Sequence, residues 1–357
     1  MSKTITLYNV DKIVSSAGTE VEIDNMSAGG SASAAGLALT RSEDSQNIDY
    51  AFNEGGNTHE ADGHSSTATH AMFAGGDNPS DFSANELRSF TDQSENTVSY
   101  GAMTIARNSH SSASNGSSKL IMGGNSSNSL SGCEIKSFAD SSNFVSHGNL
   151  SNTISAAAAS SDGAKAMISG GSADATNVEF KNFSDNSYNV SHGVLASGIY
   201  SHNAVSDGTT NMNMGGYDGS GTWGNSSLIS KKQFASSADS VSSGDLAVNK
   251  RNGGAGSNGT IALYGGGIAD GDSWQTAIET KNFADDANST SYGNLTFATL
   301  GIGGCANETA VLFAGGRNYS TYYSDINYKT FDSNADGVSA GSLSQAKQNL
   351  SASSGNA

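Results

Sequence analysis

A short apolar run ending in a double glycine recurs six times in this 357-residue chain, and that recurrence limits the fold more than any other feature. The runs read MFAGG ending at Gly76, LIMGG at Gly124, MISGG at Gly171, MNMGG at Gly216, LYGGG across Gly265–Gly267 and LFAGG at Gly316. With Gly266 as the reference in the fifth run, successive glycines lie 48, 47, 45, 50 and 50 residues apart. A fixed period of this length marks a repeat architecture, in which each unit buries its apolar face only against its neighbours.

Two further landmarks keep step with the glycines. One phenylalanine follows each run, in ELRSFTD, EIKSFAD, EFKNFSD, SKKQFAS, ETKNFAD and NYKTFDS: Phe90, Phe138, Phe183, Phe234, Phe283 and Phe331. A small-residue turn then carries Gly101, Gly148, Gly193, Gly244, Gly293 and Gly341. Phe to turn glycine is 11 residues once and 10 five times, and turn glycine to the next double glycine is 23, 23, 23, 22 and 23. Double glycine to Phe varies from 12 to 18. Fixed spacing implies hydrogen-bonded register, since a one-residue slip turns every side chain to the wrong face. Variable spacing implies surface loops, where extra residues cost little.

Each unit reads as four short strands. The first is rich in Ala and Ser, as in Ile154–Ser160; the second is the apolar run; the third carries the Phe. The fourth holds Val98, Val145, Val190, Val241 or Val338, with Thr290 in the fifth unit. Four short strands per unit of 45–50 residues indicate propeller blades. Small residues suit the crowded innermost strand, and the Phe has room to wedge between blades. The expected fold is all-β: a six-bladed β-propeller over 70–357, preceded by a β-rich docking arm over 1–69. In that arm KTITLYNVDKIV and TEVEID alternate apolar and polar residues, and 36–56 faintly echoes the repeat.

Ring closure follows from counting. The last unit stops at Ala357, 16 residues after Gly341, so it lacks a strand ending in double glycine. His70–Gly76 is such a strand without an upstream partner. One composite blade is therefore expected, its inner strand from Gln345–Ser353 and its other strands from 70–104, because an open ring would expose unpaired edges.

The order of these features resembles a Kelch repeat: an Arg, a strand ending in double glycine, an aromatic, then a Trp. Ala106–Asn149 is the closest copy. Phe stands for the usual Tyr, Val lies near the Trp position, and the Arg survives mainly as Arg107 and Arg251. The resemblance implies a Kelch-like, galactose-oxidase-like propeller.

Function classes are narrowed mainly by exclusion. Seventeen Lys and Arg against 34 Asp and Glu leave a net charge of −17, which repels nucleic acid and anionic membranes. No apolar run is long enough to span a bilayer, and MSKTITLYNV lacks the apolar stretch of a secretory signal. Cys133 and Cys305 are too few for a disulfide framework or zinc site and read as small buried residues. None of the seven histidines has HxH or HExxH spacing, and His147 and His192 share a repeat position with Tyr100 and Tyr292. Asp270-Gly271-Asp272 lacks the length and terminal Glu of a calcium loop. No catalytic set, cofactor or metal is expected.

The loops after the double glycines hold aromatics flanked by small polar residues: Tyr217, Trp223, Trp274, Tyr319, Tyr322 and Tyr323. Such side chains suit stacking on sugars or covering a protein neighbour. Low charge, few Cys and one Pro, with abundant Ser, Asn and Gly, are similar to phage tail and fibre proteins. The expectation is a non-enzymatic structural protein of a phage particle, made in the host cytoplasm and carried on the virion. Its arm would dock to other virion proteins in an oligomeric assembly. The alternative is a propeller that binds carbohydrate or a receptor, for instance a host surface glycan.

Overall fold

A computed structural model describes residues 68–125, 128–172, 175–186, 190–218 and 224–357, with the strands Lys12–Val14 and Glu20–Glu22. The chain divides into two compact units, 1–56 and 57–357, a boundary earlier than the expected one after residue 69. In the first unit the two short strands pair antiparallel, with Ile13 opposite Val21. The echo at 36–56 lies outside the described residues.

The second unit is all-β, with no helix among its described residues and six four-stranded antiparallel sheets. It is a β-propeller. Blade 1 runs outward from Ser351–Gly355 through His70–Ala74 and Ala84–Ser89 to Val98–Ala102. Blades 2 to 6 follow in chain order, their inner strands being Ser111–Ser114, Ala158–Ser161, Asn203–Ser206, Gly254–Ser257 and Gly303–Ala306. These inner strands are built from small residues, as the crowding around the axis requires. The third inner strand starts later than its Ala-rich sequence suggests. Ile154 ends the outer strand of blade 2, Ala156 turns the chain at φ 53°, and the inner strand begins only at Ala158.

Blade 1 joins the two ends of the repeat array, with Ala74 opposite Ser351, Met72 opposite Ser353 and His70 opposite Gly355. Its inner strand lies further along the chain than 345–353, because 345–350 form the link that brings the chain over from blade 6. Ser112 Oγ of blade 2 donates to Ala352 O (3.1 Å), and Ser354 Oγ donates to Ala306 O of blade 6 (2.6 Å).

The double glycines turn the chain at the end of each second strand, and both residues of a pair need positive φ. In blades 1 and 2 the values are 62° and 95°, then 63° and 104°. The second glycine donates its N–H to the link that follows: Gly76 to Arg107 O, Gly124 to Ile154 O, Gly171 to Ile199 O, Gly216 to Lys250 O and Gly316 to Lys347 O. In the fifth run Gly267, at φ 94°, donates to Thr299 O. Gly266, at φ 68°, is the first of its pair, and Gly265 still belongs to the strand. The sequence alignment on Gly266 is therefore one residue early. With Gly267 as reference, all five turn-to-double-glycine intervals are 23.

Each Phe sits one residue beyond the third strand and is buried, from 0% exposed at Phe138 to 9% at Phe283. Each packs on the preceding blade. Phe138 meets Met72 and Leu87 of blade 1, Phe183 meets Leu120 and Met122 of blade 2, and Phe234 meets Met167 and Val178 of blade 3. Phe283 meets Met212 and Ile229 of blade 4, and Phe331 meets Leu263 and Ile278 of blade 5. Phe90 of blade 1 packs on Leu312 and Ile326 of blade 6. At about 2–3 kcal/mol per buried ring, these wedges hold successive blades together.

Buried ions complete the frame. Two residues before each Phe stands a buried cation: Arg88, Lys136, Lys181, Lys232, Lys281 and Lys329. Its head group donates to the carbonyl four residues on, closing the turn after the third strand, for example Lys136 to Asp140 O (2.7 Å) and Lys281 to Asp285 O (2.7 Å). Two residues earlier, Glu86, Glu134, Glu179 or Glu279 faces the incoming link. Lys347 and Lys250 lie 2.7 Å from Glu86 and Glu279, and Arg107 pairs with Glu134. The buried basic residue of that repeat is thus Lys250, six residues after Gly244, rather than Arg251 beside it. Where the link carries Ile199 or Thr299 instead, the facing residue is Ser230 or Asn327. Charges at this depth come with partners, because an unpaired one would be costly to bury. Glu179 faces Ile154 and is met by Ser151, which donates to it from both backbone N and Oγ.

Candidate functional site

Three structural layers meet on the face where the double glycines turn. The lowest is the set of links between blades. Eight residues after each turn glycine, Ser109, Ala156, Ser201, Asn252, Gly301 and Asn349 all have φ between 49° and 68°. Each donates its N–H to the carbonyl of the previous member: Ala156 to Ser109 (2.8 Å), Ser201 to Ala156 (2.7 Å), Asn252 to Ser201 (2.9 Å), Gly301 to Asn252 (2.7 Å) and Asn349 to Gly301 (2.7 Å). Ser109 N donates to Asn349 O at 3.0 Å and completes the circle. Six backbone hydrogen bonds therefore encircle the mouth of the central channel.

The six residues of this ring line a cavity of about 400 Å³, and a smaller one of about 70 Å³ lies among the inner strands. His110 and His202 line both. Burial pushes His202 down to about 3 and holds His110 well below its ordinary value, so both rings are neutral. Ser351 and His110 Nε2 share a 2.8 Å hydrogen bond.

The third layer is the loops after the double glycines. In blade 5, Lys250–Arg251, Ile268–Ala269 and Ser273–Trp274 form a small sheet; in blade 6, Arg317–Asn318 pairs with Thr321–Tyr322. This brings Trp274 and Tyr319 together across two blades, ring centroids 3.9 Å apart. Tyr319 is 71% exposed and held at φ 48°, a left-handed conformation that a bulky residue adopts only at a cost. Trp274 Nε1 is buried without a hydrogen-bond partner among the described residues.

The other aromatics do not join this pair. Tyr217 packs on Tyr200 (4.9 Å) beneath the Arg251 guanidinium (5.1 Å). Tyr322 lies under Arg317, and Tyr323 packs on Phe297 at 4.3 Å. Trp223 lies outside the described residues. Tyr200 and the ring of left-handed residues escaped sequence reasoning. The ring residues share an offset of eight from the turn glycine, but that offset does not show that they bond to one another, and no other repeat has an aromatic at the Tyr200 position.

The remaining candidates are structural. Cys133 and Cys305 are buried and unpaired with each other, and burial pushes the Cys133 thiol up to about 12. The residue before the turn glycine ties the outer strand to the next blade in several repeats: Tyr100 Oη donates to Phe138 O (2.6 Å), His147 Nε2 bonds Asn182 O (2.8 Å) and Tyr292 Oη donates to Phe331 O.

No family model matches this chain, and no curated protein matches it. Among solved structures, one titled "Structure of YjhT" superposes with a TM-score of 0.57 at 13% identity, covering 70% of this chain and 88% of the other. That likeness shows the fold alone.

Proposed function

We propose that this chain is a non-enzymatic structural protein of a bacteriophage particle, in a tail, fibre or knob, that turns the double-glycine face of a diverged Kelch-like propeller towards carbohydrate. The observation that carries the glycan half is Tyr319. A strained, exposed tyrosine stacked against a tryptophan from the neighbouring blade gives nothing to the core, and strain of this kind gathers where a ligand is met. Paired rings with polar surroundings match the apolar face and hydroxyl edges of a sugar.

The particle half rests on composition and on a separate N-terminal unit. The first strand of the propeller, His70–Ala74, runs towards the double glycine at Gly75–Gly76. In this reading neighbouring virion subunits are the partners of the arm, and the protein travels from the host cytoplasm on the particle.

Two measurements test the halves separately. On a glycan array the wild type should bind at least one glycan, and Tyr319→Asn should lose that signal. Asn tolerates the left-handed region, so the variant should also gain about 1 kcal/mol in stability. Wild-type binding at background, or binding unchanged in Tyr319→Asn, overturns the glycan half. Cross-linking mass spectrometry should join the arm to other particle proteins. A monomer with no such cross-link overturns the particle half.

A further inference from the structure

We propose that the channel mouth is a subsite for one uncharged, pyranose-sized sugar, an inference that rests on the carbohydrate reading above. The cavity of about 400 Å³ falls in the range of small-molecule sites. Its lining combines two kinds of surface. Ser155, Ser172, Tyr200, Ser201, Asn252 and Asn349 bring hydroxyl and amide groups from links around the ring. Ile302 and Leu350, from the adjacent links between blades 5 and 6 and between 6 and 1, add an aliphatic patch. A pyranose has the same division, with hydroxyls around its edge and C–H groups on one face.

Charge selects against acidic sugars. Among the described residues no Lys, Arg, Asp or Glu lines the cavity, and its two histidines are kept neutral by burial. Free backbone N–H groups are the other donors that could hold a carboxylate. Here the six N–H groups that surround it are spent on one another in the hydrogen-bonded ring. The chain's net charge of −17 adds a further repulsion. A neutral ligand loses least on entering and uses the side-chain groups that remain.

The test uses the full chain and four probes: methyl α-glucopyranoside, methyl α-galactopyranoside, N-acetylglucosamine and glucuronate. Binding is followed by saturation-transfer NMR and calorimetry. At least one neutral probe should bind, and glucuronate should bind at least tenfold more weakly. Ser172, exposed at the rim and sharing a side-chain hydrogen bond with Ser155 (2.8 Å), can be enlarged without touching the core. Ser172→Trp should fill the mouth and weaken the neutral probe at least tenfold while leaving the unfolding transition in place. Tyr319→Asn should leave monosaccharide binding within twofold, because that residue lies outside the cavity lining. Equal binding by Ser172→Trp, or a preference for glucuronate, overturns this subsite. If array binding still depends on Tyr319 in that case, the broader carbohydrate reading survives. Absence of every probe together with a silent array removes both.

Discussion

Lys347 and Glu86 meet 2.7 Å apart and almost wholly buried, one from the link out of blade 6 and the other from blade 1. Burial alone would raise the Glu86 pKa, but the ammonium group and the donors Ser344 N and Thr97 Oγ1 hold it below its ordinary value. Lys347→Met strands that carboxylate, and a loss of about 3–5 kcal/mol is expected. Adding Glu86→Leu should recover much of it, because no charge is then left behind. Urea titrations of the two variants decide the point, and a single-variant loss below about 1 kcal/mol would contradict the account. His202 governs a second residue-scale property. Its proton affinity is ordinary when unfolded, near 6.5, and falls to about 3 when folded. The unfolded state therefore binds more protons between those values, so its contribution is complete above pH 6.5 and is lost progressively as pH falls towards 3. His202→Gln should flatten the slope of stability against pH in that window, with His110 supplying what remains. An unchanged slope would show that the ring is not held neutral.

At the scale of single elements, the outer strands carry the most constrained glycines. Each turn glycine lies at a register shift between the third and outer strands, so the outer strand bulges, as at Asn177 and Glu179 in blade 3. The bulge presses the strand onto the next blade. Gly193, at φ 78°, would place a Cβ 2.6 Å from Ser237 O of blade 4. Gly271 has the same φ of 78° but open space around it. The pair separates backbone strain from contact. Gly271→Ala should cost about 1–2 kcal/mol for the left-handed conformation. Gly193→Ala should cost a further ~1–3 kcal/mol of overpacking between blades. Equal losses by thermal unfolding would mean that the inter-blade contact contributes nothing. The bulge also shortens the edge that each blade offers to other chains. That protection matters because Val98, Val145, Val241 and Val338 stand 49–62% exposed at the start of these strands.

For the whole molecule, stability depends on closing the circle. The backbone ring at the channel mouth, the Phe90 wedge into blade 6 and the pairing of Ser351–Gly355 with His70–Ala74 all span the junction between the chain's two ends. Deleting 345–357 removes Asn349 from the ring, Lys347 from its buried pair and the inner strand from blade 1. The expected outcome is loss of the cooperative transition, seen as a broadened, shallow unfolding curve by far-UV circular dichroism. A truncated chain that keeps the wild-type midpoint and slope would mean that the remaining blades stand without closure.

The sequence by itself determined the period, the four-strand unit and which stretches are rigid. Register-bound segments cannot change length, so their constant spacing survives where side chains drift. It also located the Phe wedges, since a large apolar residue at one fixed offset needs one fixed cavity. Tertiary structure alone decided which glycine of the triplet Gly265–Gly267 makes the turn, because three adjacent glycines look alike until a hydrogen-bond partner such as Thr299 O selects one. It likewise decided that Lys250, not Arg251, is the buried cation, because only burial opposite Glu279 separates two neighbouring basic residues. The backbone circle and the Trp274–Tyr319 pair were beyond sequence reasoning for the same reason: both join residues from different repeats, and neighbourhood between repeats exists only after the blades pack.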